Sequence, residues 1–358
     1  MATITNGDPF SGGQPLVLFY LGECMRIGIP EALLFRRYEP FIRKFFDNLE
    51  VDVVYSGPTN GEIMERGIAH CVDEACLPMK IFQGHVVKLQ AECDKVVVPR
   101  LMKCEFGDSI CPKFVGLPEL VGKGRAGSKI IFTEPLYLND RNKLRKAVIK
   151  QSKQIGVSKA KVNDAFRAVE EFVRARKQGE CYGAGAVSSC EGGGENTGGI
   201  TGIHDGAIKV ALLGHPYNIS DSYANMNLVS KLKRLGICPV TGDELTREDM
   251  DEQMTGLMKA PYWRFYRENF GKAMALLKKG SVDGILYVSS FCCGTDSVTI
   301  EMIRSRIGDF SMLVLKLDEH TAEAGMDTRL EAFAELLERR RQKSKGTVPF
   351  DFLKGEKA

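Results

Sequence analysis

The sequence predicts an α/β protein of two doubly wound, Rossmann-like lobes with parallel sheets, joined by a helical connecting layer. Three observations predict it. Short β-branched runs alternate with segments of helical period, the pattern of βαβ units. That alternation stops in a charged, strand-free stretch and a glycine-rich break, then restarts. A length of 358 residues exceeds one small core and favours about two domains. The boundaries read as an N-terminal extension over 1–25, a first lobe over 26–138, a helical connection and glycine-rich loop over 139–206, and a second lobe over 207–358.

The first lobe opens on Tyr38, Phe41, Ile42, Phe45, Phe46 and Leu49, whose spacing is one buried helix face. A strand at Val51 to Tyr55 ends at Ser56-Gly57-Pro58. Helices are expected from Gly61 and from about Leu77, then strands at Lys95 to Pro99 and Lys129 to Phe132. Asn139 to Gln178 is charged and helical, and glycines crowd the stretch 183–206. No Gly-Lys-Ser/Thr follows those glycines, so a loop between lobes is favoured over a phosphate cradle.

In the second lobe, strands are expected at Ile208 to Leu213, Cys238 to Thr241, Gly284 to Val288 and Ser311 to Leu317. Helices are expected over Tyr223 to Leu235 and Phe265 to Leu277. Thr328-Arg-Leu-Glu331 reads as a capping box opening the last helix. Ligands in such folds bind outside the carboxyl ends of the strands.

A net charge of +3 argues against a nucleic-acid partner. The run Arg339-Arg340-Arg341 closes an amphipathic helix, where cations complement the helix dipole. The longest early apolar run, Pro15 to Leu21, is too short for a membrane span and lacks the flanks of a signal peptide. A cytoplasmic location is the expectation.

Eleven cysteines are unusual for such a chain, and a disulfide framework explains them poorly. Three share a context. Cys76 precedes Leu77-Pro78 and a helix, Cys111 precedes Pro112 and a helix, and Cys293 lies between a strand and a helix, followed by Gly294. A thiol at a helix N-terminus meets unpaired N–H groups and the positive dipole end, which favours the thiolate and its use as a metal ligand. Cys71 lies on an apolar stripe and Cys238 in an apolar strand, so both read as core. Cys104 is close enough to Cys111 to be a fourth ligand, and Cys292 is able to exchange roles with Cys293. Cys93 enters a strand, while Cys181 and Cys190 flank or sit in the glycine-rich loop. Spacing alone leaves core burial of all three chosen cysteines open.

Several blocks carry a resemblance: Gly28 to Leu34, Asp73-Glu-Ala-Cys-Leu-Pro78 with Gly84-His85, Val98-Pro-Arg100, Cys111 to Pro118, Gly214-His-Pro-Tyr-Asn218, Phe291 to Ser297, and Asp318 to Gly325 with Thr328 to Phe333. On these the chain resembles the acyl-CoA dehydratase activase-related family, kin to the cluster-bearing subunits of 2-hydroxyacyl-CoA dehydratases and to double-cubane-cluster reductases. The resemblance implies a [4Fe–4S] cluster on Cys76, Cys111 and Cys293, with the spare cysteines leaving a double-cubane cluster open. It also implies a separate ATP-hydrolysing activase or reductase as electron donor, an acyl-CoA or other small substrate, and a homodimer or a related partner subunit. The activity implied is a dehydratase-like lyase or a reductase component, the alternative being an iron–sulfur carrier without catalysis. Zinc on the same thiols is a further option. Candidate polar helpers are His85, His215, Glu319 and His320, the last two because Asp318-Glu319-His320 directly follows a strand. Arg100 is a candidate for binding a carboxylate or phosphate, or for a helix-cap or ion-pair role.

Overall fold

The computed structural model describes residues 25–122, 129–176 and 207–344. Most of the expected N-terminal extension, the glycine-rich stretch, Cys181 and Cys190 lie outside those residues.

The first lobe runs β1 (Arg26–Ile29), α1 (Phe35–Asp47), β2 (Asp52–Tyr55), α2 (Gly61–His70), α3 (Leu77–Glu92) and β3 (Lys95–Val97). It continues through β4 (Arg100–Lys103), α4 (Pro112–Val115), α5 (Leu117–Gly122), β5 (Ile130–Ile131) and β6 (Pro135–Tyr137). Its main sheet is parallel in the order β2-β1-β3-β5, while β4 and β6 pair in a separate parallel ribbon. The ribbon was not expected. Pro99, which has no N–H to give a ladder, separates β4 from β3 and lets the chain leave the main sheet. The connecting layer is α6 (Arg141–Ser152) and α7 (Lys159–Arg176).

The second lobe comprises β7 (Ile208–Gly214), α8 (Pro216–Ser220), α9 (Leu228–Arg234), β8 (Ile237–Val240), α10 (Arg247–Glu252) and α11 (Arg264–Lys278). It ends with β9 (Gly284–Ser290), α12 (Gly294–Ile307), β10 (Met312–Leu317) and α13 (Glu323–Ser344). Its sheet is parallel in the order β10-β9-β7-β8. Strand β9 is buried along its whole length, as expected of a central parallel strand covered on both faces.

Two expectations are corrected. The helix foreseen over Tyr223 to Leu235 begins only at Leu228, because Met226 and Asn227 take left-handed backbone with φ of 53° and 56°. The final helix opens at Glu323, so Thr328 is no N-cap: its hydroxyl donates back to the Ala324 carbonyl at 3.0 Å.

Two glycines position the first lobe's key helix. A Cβ on Gly67 of α2 would lie 2.0 Å from the Lys80 carbonyl oxygen, and one on Gly84 of α3 would lie 1.9 Å from that of Ile63. Only glycine lets these two helices touch backbone to backbone, and the contact fixes where α3 begins.

One apolar cluster runs through both lobes, including Leu77, Val86, Leu212, Leu286 and Leu330. Polar bonds also cross between them. Arg37 of α1 pairs with Glu268 of α11 at 3.4 Å, and Asp108 accepts from Arg247 at 2.5 Å and from Arg264 at 3.3 Å. Thr59 donates to Asp221 at 2.6 Å. No described helix is long and apolar enough to cross a membrane.

Candidate metal centre

Cys76, Cys111 and Cys293 are the N-caps of α3, α4 and α12, and none uses its side chain to cap its own helix. Pro112 at the first position of α4 and Pro78 at the second of α3 suit a helix start, where a missing N–H leaves no intrahelical bond unmade. His215 is the N-cap of a fourth helix, the short α8. Its strand, β7, lies beside β9, and Gly214 sits in register with Val288. Gly214 has φ of +146°, and a Cβ there would strike the Val288 carbonyl oxygen at 2.3 Å. Adjacent strand ends thus deliver His215 and Cys293 to the same place.

Cys76, Cys111 and Cys293 lie near enough to Tyr217 and to one another to act electrostatically, whereas the group of His, Cys, Asp or Glu found among the described residues with donor atoms within 4.8 Å of one another is His215, Cys293 and Asp296. Negative charge on Cys76 would raise the pKa of both Cys111 and Cys293, and all three cysteines act on the phenol of the partly buried Tyr217. Burial, reinforced by its neighbours, holds that phenol well above its usual range. For Cys111 and Cys293 the expected lowering of the thiol pKa does not occur. Burial outweighs the helix N-terminus, raising Cys111 and, with the Asp296 charge added, pushing Cys293 up to about 12. At both positions burial therefore favours the neutral thiol.

The wall beside Cys293 is polar and buried. Donor atoms of His215, Cys293 and Asp296 lie within 4.8 Å of one another. Asp296 Oδ1 accepts from the Tyr287 hydroxyl at 2.7 Å and stands 3.0 Å from His215 Nδ1. The latter approach is bent away from hydrogen-bond alignment, so His215 Nδ1 and Asp296 Oδ2 lack hydrogen-bond partners. Burial alone would raise the Asp296 carboxyl. His215 and hydrogen bonds from Tyr287 and Ser289 outweigh it and hold the group below the usual carboxylate range. Cys293 Sγ also lies 3.3 Å from the Thr295 hydroxyl.

A cleft between the lobes is lined by Asp73 and by Ala75 and Leu77, the chain neighbours of Cys76, on one side and by Phe291, Asp318, Glu319 and His320 on the other. Glu319 is ion-paired with Lys80, which is 2% exposed and also donates to the Asp73 carbonyl at 3.0 Å. Burial would raise the Glu319 carboxyl, but Lys80 reverses this and lowers it. His320 projects into solvent.

His85 stands elsewhere. It is fully buried, with Nδ1 2.7 Å from the Ser56 hydroxyl and Nε2 3.1 Å from that of Thr59. Arg100 takes the ion-pair and cap roles: it donates to the carbonyls of Thr133 and Val115 and pairs with Glu119. Cys104 is buried among Arg37, Glu105, Asp108 and Arg264, and burial pushes its thiol up to about 12. Cys93 and Cys238 are buried as well. Cys71 corrects the core assignment: it caps the end of α2, is half-buried, and feels both Cys76 and Lys80. Cys292 is exposed and left-handed at φ 61°.

Sequence reasoning missed Lys80, Tyr217 and Asp296 as site residues. Lys80 had a signal, being a charge in an apolar helix one turn after Cys76. Asp296 did not, since an acid in a first helical turn ordinarily complements the dipole.

A search among curated proteins returns no match to this chain. The model of the family described as "CoA enzyme activase uncharacterised domain (DUF2229)" matches residues 26–245, a span that holds Cys76, Cys111 and His215 and stops before Cys293. The chain belongs to that family of CoA enzyme activase domains.

Proposed function

We propose that the chain is the iron–sulfur component of an ATP-dependent, low-potential electron-transfer system. It takes electrons from a separate activase and passes them to an acyl-CoA or other small substrate. The observation that supports this reading is that Cys76, Cys111 and Cys293, each at a helix N-terminus, all act electrostatically on one partly buried tyrosine. The donor set fits the group: soft thiolates select iron–sulfur clusters or zinc, and N–H groups aimed at sulfur tune a cluster.

A [4Fe–4S] cluster, when bound, supplies one-electron chemistry at low potential. The chain's residues do the rest. Cys76, Cys111 and Cys293 would hold the metal beside the partly buried Tyr217 ring. Glu319, fixed by Lys80, and the exposed His320 stand at the cleft, where they orient a substrate. Phe291 gives that cleft an apolar wall.

One observation favours a second reading, a carrier that only relays electrons. Asp73, Asp318 and Glu319 give the cleft a carboxylate lining, and the nearby Lys80 ammonium is already neutralised, a poor environment for the phosphates of a CoA ester. Turnover assays with and without an ATP-hydrolysing activase separate the two, since a carrier is reduced without forming product.

Iron and acid-labile sulfide per chain, measured on anaerobically isolated protein, test both. The wild type is expected to hold both elements, and Cys76→Ala, Cys111→Ala and Cys293→Ala each to lose most of them. Zinc without sulfide, or iron kept by all three variants, would end the proposal.

A further inference from the structure

The wall beside Cys293 contains more donor chemistry than three thiols require. His215 is 2% exposed and Asp296 1% exposed; His215 Nδ1 stands 3.0 Å from Asp296 Oδ1, out of hydrogen-bond alignment, and Asp296 Oδ2 has no hydrogen-bond partner. An unpaired polar atom out of water costs free energy, and Asp296 Oδ2 beside a buried imidazole and a thiol makes this wall suited to a cation. The imidazole is also held in place. It stacks on Tyr217 at 5.1 Å with the planes 12° apart, and Phe265 meets it edge-on at 5.1 Å. Asp296 is fixed in turn by the Tyr287 hydroxyl, which receives the Asn269 amide at 3.3 Å. Metal-bound histidines are commonly oriented by a carboxylate in this way.

We propose that His215, through the ring nitrogen turned away from Asp296, is a ligand to the cluster iron that no cysteine binds, with Asp296 as the positioning residue for its ring. The inference rests on the iron–sulfur reading and deepens it. The chain itself then fills the coordination place that three cysteines leave free. An imidazole is neutral where a fourth thiolate would be anionic, so His215 makes the centre easier to reduce than four thiolates would.

The test is pulsed electron–nuclear double resonance on the reduced full-length protein, isolated anaerobically from cells fed 15N-histidine. A directly coordinated 15N is expected in the wild type. It should vanish in His215→Gln, with iron per chain falling less than twofold, whereas Cys293→Ala loses most of its iron. Asp296→Asn should keep the nitrogen signal with a changed coupling. His215→Cys, a second replacement at the buried site, should hold iron and lose the nitrogen. Iron bound through Cys76, Cys111 and Cys293 with no 15N coupling in the wild type overturns the histidine ligand alone, as does an unchanged coupling in His215→Gln. A wild type that binds no iron overturns the iron–sulfur reading together with it.

Discussion

Lys80 of the first lobe and Glu319 of the second form an ion pair beside the cleft lined by Asp73, Leu77 and Phe291. Lys80 is nearly inaccessible, and its other bond is to the Asp73 carbonyl. Removing the carboxylate strands a buried ammonium, whereas removing the ammonium leaves a carboxylate that is 14% exposed and able to hydrate. Glu319→Gln is expected to destabilise the fold by roughly 3 kcal/mol. Lys80→Met should cost clearly less. Urea denaturation of both variants reads the difference, and equal losses would contradict this account of the pair.

The α2–α3 contact predicts an unusually strict demand for glycine. Gly84→Ala and Gly67→Ala push a methyl group into a backbone carbonyl, and each is expected to cost at least about 2 kcal/mol. Both should weaken metal retention too, because α3 carries Cys76 at its start. Gly294→Ala is the control, since nothing lies within 4 Å of its added Cβ. Thermal melts with iron analysis would expose a failure if all three variants behaved alike.

His85 gives a pH signature. The bonds run in one sense: the Ser56 hydroxyl donates to Nδ1, Nε2–H donates to Thr59, and Thr59 donates to Asp221. Burial, helped by the Lys88 charge, lowers the histidine pKa to about 4. The unfolded chain therefore binds this proton first. The stability contributed is fully present above pH about 6.5 and is lost as pH falls toward 4, amounting to about 3 kcal/mol. His85→Gln should lack that portion of the acid slope in denaturation curves taken from pH 7 to pH 4. Parallel curves for the two proteins would refute the assignment.

Cys93 and Cys104 separate packing from ligation. Both are buried, and neither is among the thiols acting on Tyr217. Their alanine variants are expected to keep iron while losing about 1–2 kcal/mol of stability. Iron loss in Cys104→Ala would draw that residue into the centre.

Much of this was legible in the sequence, and for physical reasons. The strands β7, β9 and β10 are apolar runs closed by turn residues, whereas β1, only four residues with an arginine and a glycine, went unread; the helices that follow Cys76, Cys111 and Cys293 are announced by proline or glycine. A helix start is a local property, so those three positions were readable one at a time. That they share a location was not, because Cys76 and Cys293 are brought together only by the packing of two sheets. The same holds for Lys80 and Glu319, and for Tyr217, which feels thiols distant in sequence. Met226 and Asn227 show the opposite failure: good apolar spacing suggested a helix where the backbone turns left-handed.

Two of the converging thiols belong to the first sheet's lobe and one to the second. An inorganic centre seated there would therefore act as a clasp as well as a redox group. Oxygen damage or chelation would unfasten the halves, leaving Arg37–Glu268, Asp108 with its arginines, Lys80–Glu319 and the shared apolar cluster to hold them. Loss of metal would thus register as looser association of the lobes, visible to a protease before any electron is counted.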